Sequence, residues 1–152
     1  MISPYEILGI ILATFLGAAI GLERELSGKA AGLRTNILIC LGAAVFTIIS
    51  REMAAGTDSS ITRIAAQIVT GVGFLGAGAI IQDRGGVHGL TTAATIWLVA
   101  SIGVACGAGF FPLAIITTII TIIVLIGLAK LAVPLDAYRD SKKQKKTEIQ
   151  NN

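Results

Sequence analysis

Charge is scarce in this sequence. Only 14% of its 152 residues are Asp, Glu, Lys or Arg, where a soluble domain carries about 25%. Cysteine is nearly absent, and Cys40 and Cys106 both sit in apolar runs, which excludes a disulfide scaffold. His88 is the single histidine, so no His or Cys partner completes a transition-metal site. There is no Walker loop, no HExxH and no Ser-His-Asp set. Nothing in the pattern supports catalysis, and nothing beyond a basic tail could attract nucleic acid. What is abundant is apolar: 54% of residues are hydrophobic, and the mean hydropathy is +0.82. Soluble, disordered and secreted disulfide-rich classes drop out, leaving an integral membrane protein.

A helix needs about 20 apolar residues to cross the hydrocarbon core. Five segments qualify: Pro4 to Leu22, Leu33 to Ser50, Ile64 to Ile81, Leu90 to Ala108, and Phe110 to about Lys130. The alternation of a porin strand is missing. Only helices then satisfy backbone groups in lipid, so the expected fold is all-α with five transmembrane helices. The last boundary rests on Gly107, Ala108 and Gly109, with Pro112 suited to the first turn of a new helix. Met1 to Tyr5 carries no Lys or Arg, so no cleavable signal is expected.

With five spans the two ends lie on opposite sides. Of the 12 Lys and Arg, Arg51 and Arg63 fall on one side; all the others fall on the side of the first connection, the third connection and the C-terminus. The positive-inside rule then places the N-terminus outside and the C-terminus in the cytoplasm. Residues 1–135 form the membrane domain, and 136–152 form a short basic cytoplasmic tail expected to be disordered.

An offset of 57 residues aligns Gly21–Ala43 with Gly78–Ala100 without a gap. Gly21/Gly78, Gly28/Gly85, Gly32/Gly89, Leu33/Leu90, Thr35/Thr92, Ile39/Ile96, Leu41/Leu98 and Ala43/Ala100 are identical. Both hairpins would cross the membrane in the same sense, a parallel repeat. The fifth helix has no counterpart and is read as an accessory.

Glycines are candidates for close helix contact, because apolar helices in lipid associate by backbone approach. Gly17 and Gly21 are four apart, as are Gly103 and Gly107, and Gly71, Gly73, Gly76 and Gly78 crowd the third span. The alternative for the third span is an unwound segment lining an ion path. Trp97 falls mid-span and is expected to sit between helices. Arg24, Lys29, Arg34, Arg84 and His88 form a candidate polar cytoplasmic cluster. Its simplest reading is an interfacial ion-pair network. The sharper reading gathers Glu23, Glu25 and Asp83 into a crevice that could hold a hard cation such as Mg²⁺. Asp58 and Arg63 read as a helix-start feature and an interface anchor.

Three blocks carry a family resemblance: Gly21-Leu22-Glu23-Arg24-Glu25 through Gly32-Leu33-Arg34-Thr35, Arg63 through Gly78, and Gly89-Leu90-Thr91-Thr92-Ala93-Ala94-Thr95-Ile96-Trp97. Together, over about residues 4–130, they resemble the MgtC/SapB family of small bacterial inner-membrane proteins. The resemblance implies an inner-membrane location and a link to growth under Mg²⁺ limitation. It also implies links to virulence and stress survival and to restraint of the rotary ATP synthase. It implies no enzyme activity and no resident cofactor, with Mg²⁺ as the one ion to consider. Many members carry a further soluble C-terminal domain; here the basic tail stands in its place. Two functions compete. One is a non-enzymatic regulator that binds another membrane protein such as the ATP synthase. The other is a small ion transporter or channel. Gly-rich faces left over by five short spans make a homo-oligomer the expectation, with a dimer as the first guess.

Overall fold

The computed structural model describes residues 3–54, 62–83 and 86–128, with the side chains of 62–65 and 83 left aside. It is an all-α membrane protein of five helices. These are α1 (Pro4–Leu26), α2 (Leu33–Ala54), α3 (Thr62–Gly78), α4 (Leu90–Ala108) and α5 (Phe111–Leu128). All but α3 are long and apolar enough to cross a bilayer. At 17 residues and about 1.5 Å per residue, α3 is the short member. The chain falls into two units, 1–118 and 119–152. The first holds α1 to α4 and the start of α5. The described part of the second is the remainder of α5.

Helix ends follow local chemistry. Ser3 opens α1 with a capping box: its hydroxyl accepts the Glu6 amide N–H at 3.3 Å, and the Glu6 carboxylate accepts the Ser3 N–H at 2.7 Å. Helix α4 closes on Gly109, at φ +85°, and the Phe110 N–H reaches back to the Ala105 carbonyl at 2.8 Å, a glycine stop of the Schellman type. The expected break between the last two spans is there, and Pro112 falls in the first turn of α5.

The repeat shows in the helix starts. Helix α2 begins at Leu33 and α4 at Leu90, the pair matched by the offset. Each odd helix folds back into the following even one, and α2 and α4 run parallel: Gly103 lies on Cys40 and Ala43, and Gly107 lies on Ala44 and Thr47.

The two connections differ. The first is a turn through Gly28 at φ +65°. The second is a β-hairpin, with β1 (Ile81–Asp83) antiparallel to β2 (Gly86–His88) and Ile81 opposite His88. The third span was expected to run on to Ile81, but α3 stops at Gly78. Glycine is a poor helix former, and the β-branched residues that follow favour a strand. Gly89 then enters α4 at φ +86°, and a Cβ there would fall on the Ala79 carbonyl oxygen. The left-handed conformation alone costs a non-glycine residue roughly 1–2 kcal/mol. Gly89→Ala should therefore lower the melting temperature in detergent, and a melt matching that of the parent would refute this account of the connection.

Candidate functional site

Helix α1 buries one stripe: Glu6, Gly9, Ala13, Gly17, Ile20, Gly21 and Arg24. The spacing is that of one helix face, and its glycines let neighbouring backbones in. A Cβ on Gly17 would stand 2.9 Å from the Asn36 carbonyl oxygen, and one on Gly21 2.8 Å from the Leu33 Cα. Gly9 meets the Cys106 carbonyl of α4 in the same way, at 2.7 Å. So α1, α2 and α4 close on one another through backbone contacts. Gly103 and Gly107 make the α2–α4 crossing just described.

The third-span glycines are placed differently. A Cβ on Gly71, Gly73 or Gly78 would meet nothing within 4 Å, and one on Gly76 would make ordinary contact with Ala93, its nearest atom 3.6 Å away. Helix α3 rests on the bundle through Val72 and Ile68, which join a cluster with Ala31, Ala43, Ile96 and Ala100. Trp97, expected between helices, is 52% exposed and forms one wall of a cleft between α3 and α4.

At the α1–α2 turn, the polar residues divide into separate partnerships. Arg24 is 3% exposed. Its guanidinium donates through Nε and Nη2 to the Glu23 carboxylate, the latter bond at 2.7 Å. Ser27 Oγ donates to the same carboxylate at 2.8 Å. Glu25 points elsewhere. Its Oε2 accepts the Leu33 N–H at 2.9 Å, satisfying one of the amides that a helix start leaves over. The carboxylate lies where a Cβ on residue 32 would be, so Gly32 makes room for it. Lys29, Arg34 and His88 are exposed.

The expected crevice of Glu23, Glu25 and Asp83 therefore has two of its carboxylates committed to different groups. The Asp83 side chain, Arg84 and the tail 136–152 lie outside the described residues, as do Asp58 and the Arg63 side chain. Among the described residues no three His, Cys, Asp or Glu side chains gather as a metal-holding group. The Arg24–Glu23 pair is nearly buried, so removing one partner strands the other. Glu23→Ala should cost about 3 kcal/mol, the low end for an uncompensated buried charge. Thermal melts in detergent micelles would read it, and a variant as stable as its parent would show that Arg24 reaches water.

Three residues passed over or merely counted in the sequence prove central. Asn36 is fully buried, and its Nδ2 donates to the Ala31 carbonyl at 2.7 Å and the Gly32 carbonyl at 2.8 Å. Its Oδ1 is buried without a partner. A carboxamide inside a span is expensive, and that was the signal available. At the opposite end Glu6 is buried within its capping box, and Arg51 Nη1 donates to the Gly107 carbonyl at 3.0 Å. A cation there suits the carbonyl-rich end of α4.

These features define a multi-pass helical membrane protein with a glycine-closed core of three helices and a fourth, shorter helix at its side. The sequence pattern of the MgtC family matches residues 10–133, and the chain belongs to that family. It is similar to MgtC of Salmonella typhimurium LT2, with 54% identity over 117 residues, 77% of this chain and 49% of that one. It is also similar to MgtC of Brucella abortus 2308, with 51% identity over 112 residues, 74% of this chain and 46% of that one. A third relative, in Escherichia coli K12, is named "Putative magnesium transporter YhiD"; it shares 47% identity over 127 residues, 78% of this chain and 58% of its own. The chain thus spans about half the length of the curated relatives it matches. No solved structure matches it.

Proposed function

We propose that this Mg²⁺-related membrane protein is a non-enzymatic regulator that acts by contact with another protein of the bacterial inner membrane. The observation that carries the reading is the outer face of α3. Ala66, Thr70, Gly73 and Ala77 are exposed along one stripe, and Gly73 has open space around it. Small residues on a lipid-facing stripe allow a second backbone to approach. Burial is concentrated elsewhere, on α1, α2 and α4. A rotary ATP synthase is the partner class that the family resemblance suggests, and Mg²⁺ limitation and stress survival are the setting. The basic side of the chain faces the cytoplasm on the charge count, with the N-terminus outside. A homodimer would use the same stripe.

Affinity purification in mild detergent from Mg²⁺-starved cells, with Gly73→Leu as the comparison, tests this. A membrane protein should co-purify with the parent and be lost from the variant, and ATP synthesis driven by a proton gradient in vesicles should change with expression of the parent. An identical set of co-purified proteins in both, with unchanged ATP synthesis, would overturn the reading.

A second reading, an ion transporter, draws on the name of the Escherichia coli relative and on the unpartnered Asn36 oxygen within the bundle. Reconstituted liposomes loaded with a Mg²⁺ dye decide it: influx above protein-free vesicles, reduced by Asn36→Leu, would favour transport over regulation.

A further inference from the structure

Glycines in membrane helices ordinarily sit where another backbone presses on them. Gly42 of α2 and Gly71 of α3 do not. Both line one groove between the two helices, and a Cβ on either would meet nothing within 4 Å. The groove, of about 450 Å³, exists because these two side chains are missing. Since α3 runs back against α4 and α4 runs parallel to α2, the walls are antiparallel. Phe46 then lies level with Gln67 at one end, and Leu38 with Leu75 at the other. Every lining residue is apolar or glycine except Gln67, which lies toward the start of α3.

We infer that this groove holds one acyl chain of a phospholipid, with the headgroup on the Gln67 side. The surrounding medium is hydrocarbon, so neither water nor vacuum is a stable filling for an apolar slot of this size. Volume selects among apolar occupants. At about 30 Å³ for a water- or methylene-sized group, the groove takes about 15 of them, one chain. A helix about 10 Å across, laid along the eight residues from Gln67 to Leu75, needs about 900 Å³, twice what is there. The polarity fits an amphiphile entering from one leaflet. A lone carboxamide exposed to hydrocarbon is costly, and at this end it can donate to the ester oxygens of the lipid whose chain lies below it.

The test fills the groove. Gly42→Leu with Gly71→Leu places side chains into open space, so the variant should fold and melt no lower than the parent. The parent, purified in mild detergent, should retain about one phospholipid per chain by native mass spectrometry, and the double variant should retain less than a third of that. Equal retention in the two would overturn the inference. So would a variant that changes from dimer to monomer with its lipid content unaltered, since the occupant would then be a second copy.

A reporter guards against a variant that misfolds: Phe46→Trp on a Trp97→Phe background, titrated in detergent with a phospholipid brominated along its chains. Quenching that saturates near one lipid per protein is expected. Quenching that rises in proportion to lipid, with no saturation, would mean bulk contact and no site. Neither arm requires a protein partner, so this inference stands or falls separately from the regulatory reading.

Discussion

Gly103→Leu should be the most damaging single change in the membrane core. A Cβ at Gly103 would fall on the Cys40 carbonyl oxygen and stand 2.8 Å from the Ala43 Cβ. The nearest obstacle is backbone, which cannot rotate away. Overpacking that displaces side chains costs about 1–3 kcal/mol; parting two helices for a whole isobutyl group should reach or exceed the upper figure. Because α2 and α4 carry much of the buried surface between them, the expected result is a protein that leaves detergent extracts as aggregate or melts far below its parent. Gly71→Leu, an identical exchange into open space, is the internal control. Should the two variants melt alike, the α2–α4 crossing described above would be wrong.

Asn36→Asp should rival it, for an electrostatic reason. Both protons of the Asn36 amide are used on the Ala31 and Gly32 carbonyls. A carboxylate in that position would turn two attractions into two repulsions and bury a charge with no partner, at about 3–5 kcal/mol. Asn36→Leu loses the same two bonds but adds no charge and relieves the unpartnered Oδ1. Its cost should stay near the 1–3 kcal/mol of stranded carbonyls. The ranking, Asp well below Leu and Leu below the parent, is the diagnostic result. Equal melting temperatures for the Leu and Asp variants would indicate that water or a neighbouring cation reaches the site.

The same residue separates two accounts of the protein. Under the regulatory reading Asn36 is a brace. It ties the start of α2 to the turn before it, beside the amide that Glu25 caps. Under the transport reading its free oxygen is a place for a passing ion. Stability measurements on the two variants cannot tell these apart, whereas liposome flux with Asn36→Leu can.

How much of this was legible in the residues follows from range. Whatever depends on a stretch of chain and its solvent could be read directly. Uniform apolarity against lipid leaves helices as the only spanning form, so the all-α class needed no coordinates. The start of α2 and of α4, the glycine stop before Pro112, and the 57-residue correspondence of Leu33 with Leu90 are likewise local. Family membership rests on the same kind of signal, three ordered blocks of residues that alignment with known relatives bears out.

What only the tertiary structure decided is which equals are unequal. Gly17, Gly71 and Gly103 are the same residue in similar apolar runs, yet Gly17 and Gly103 each carry a neighbouring backbone while Gly71 faces open space. No local pattern encodes that difference, because it depends on how far each helix stands from a helix distant in sequence. The carboxylates behave alike: Glu23 and Glu25 look like a pair by spacing, but the turn sends one to a guanidinium and the other to a helix amide. Charge and hydropathy are properties of a residue, whereas contact is a property of two, and the second residue is chosen by the fold.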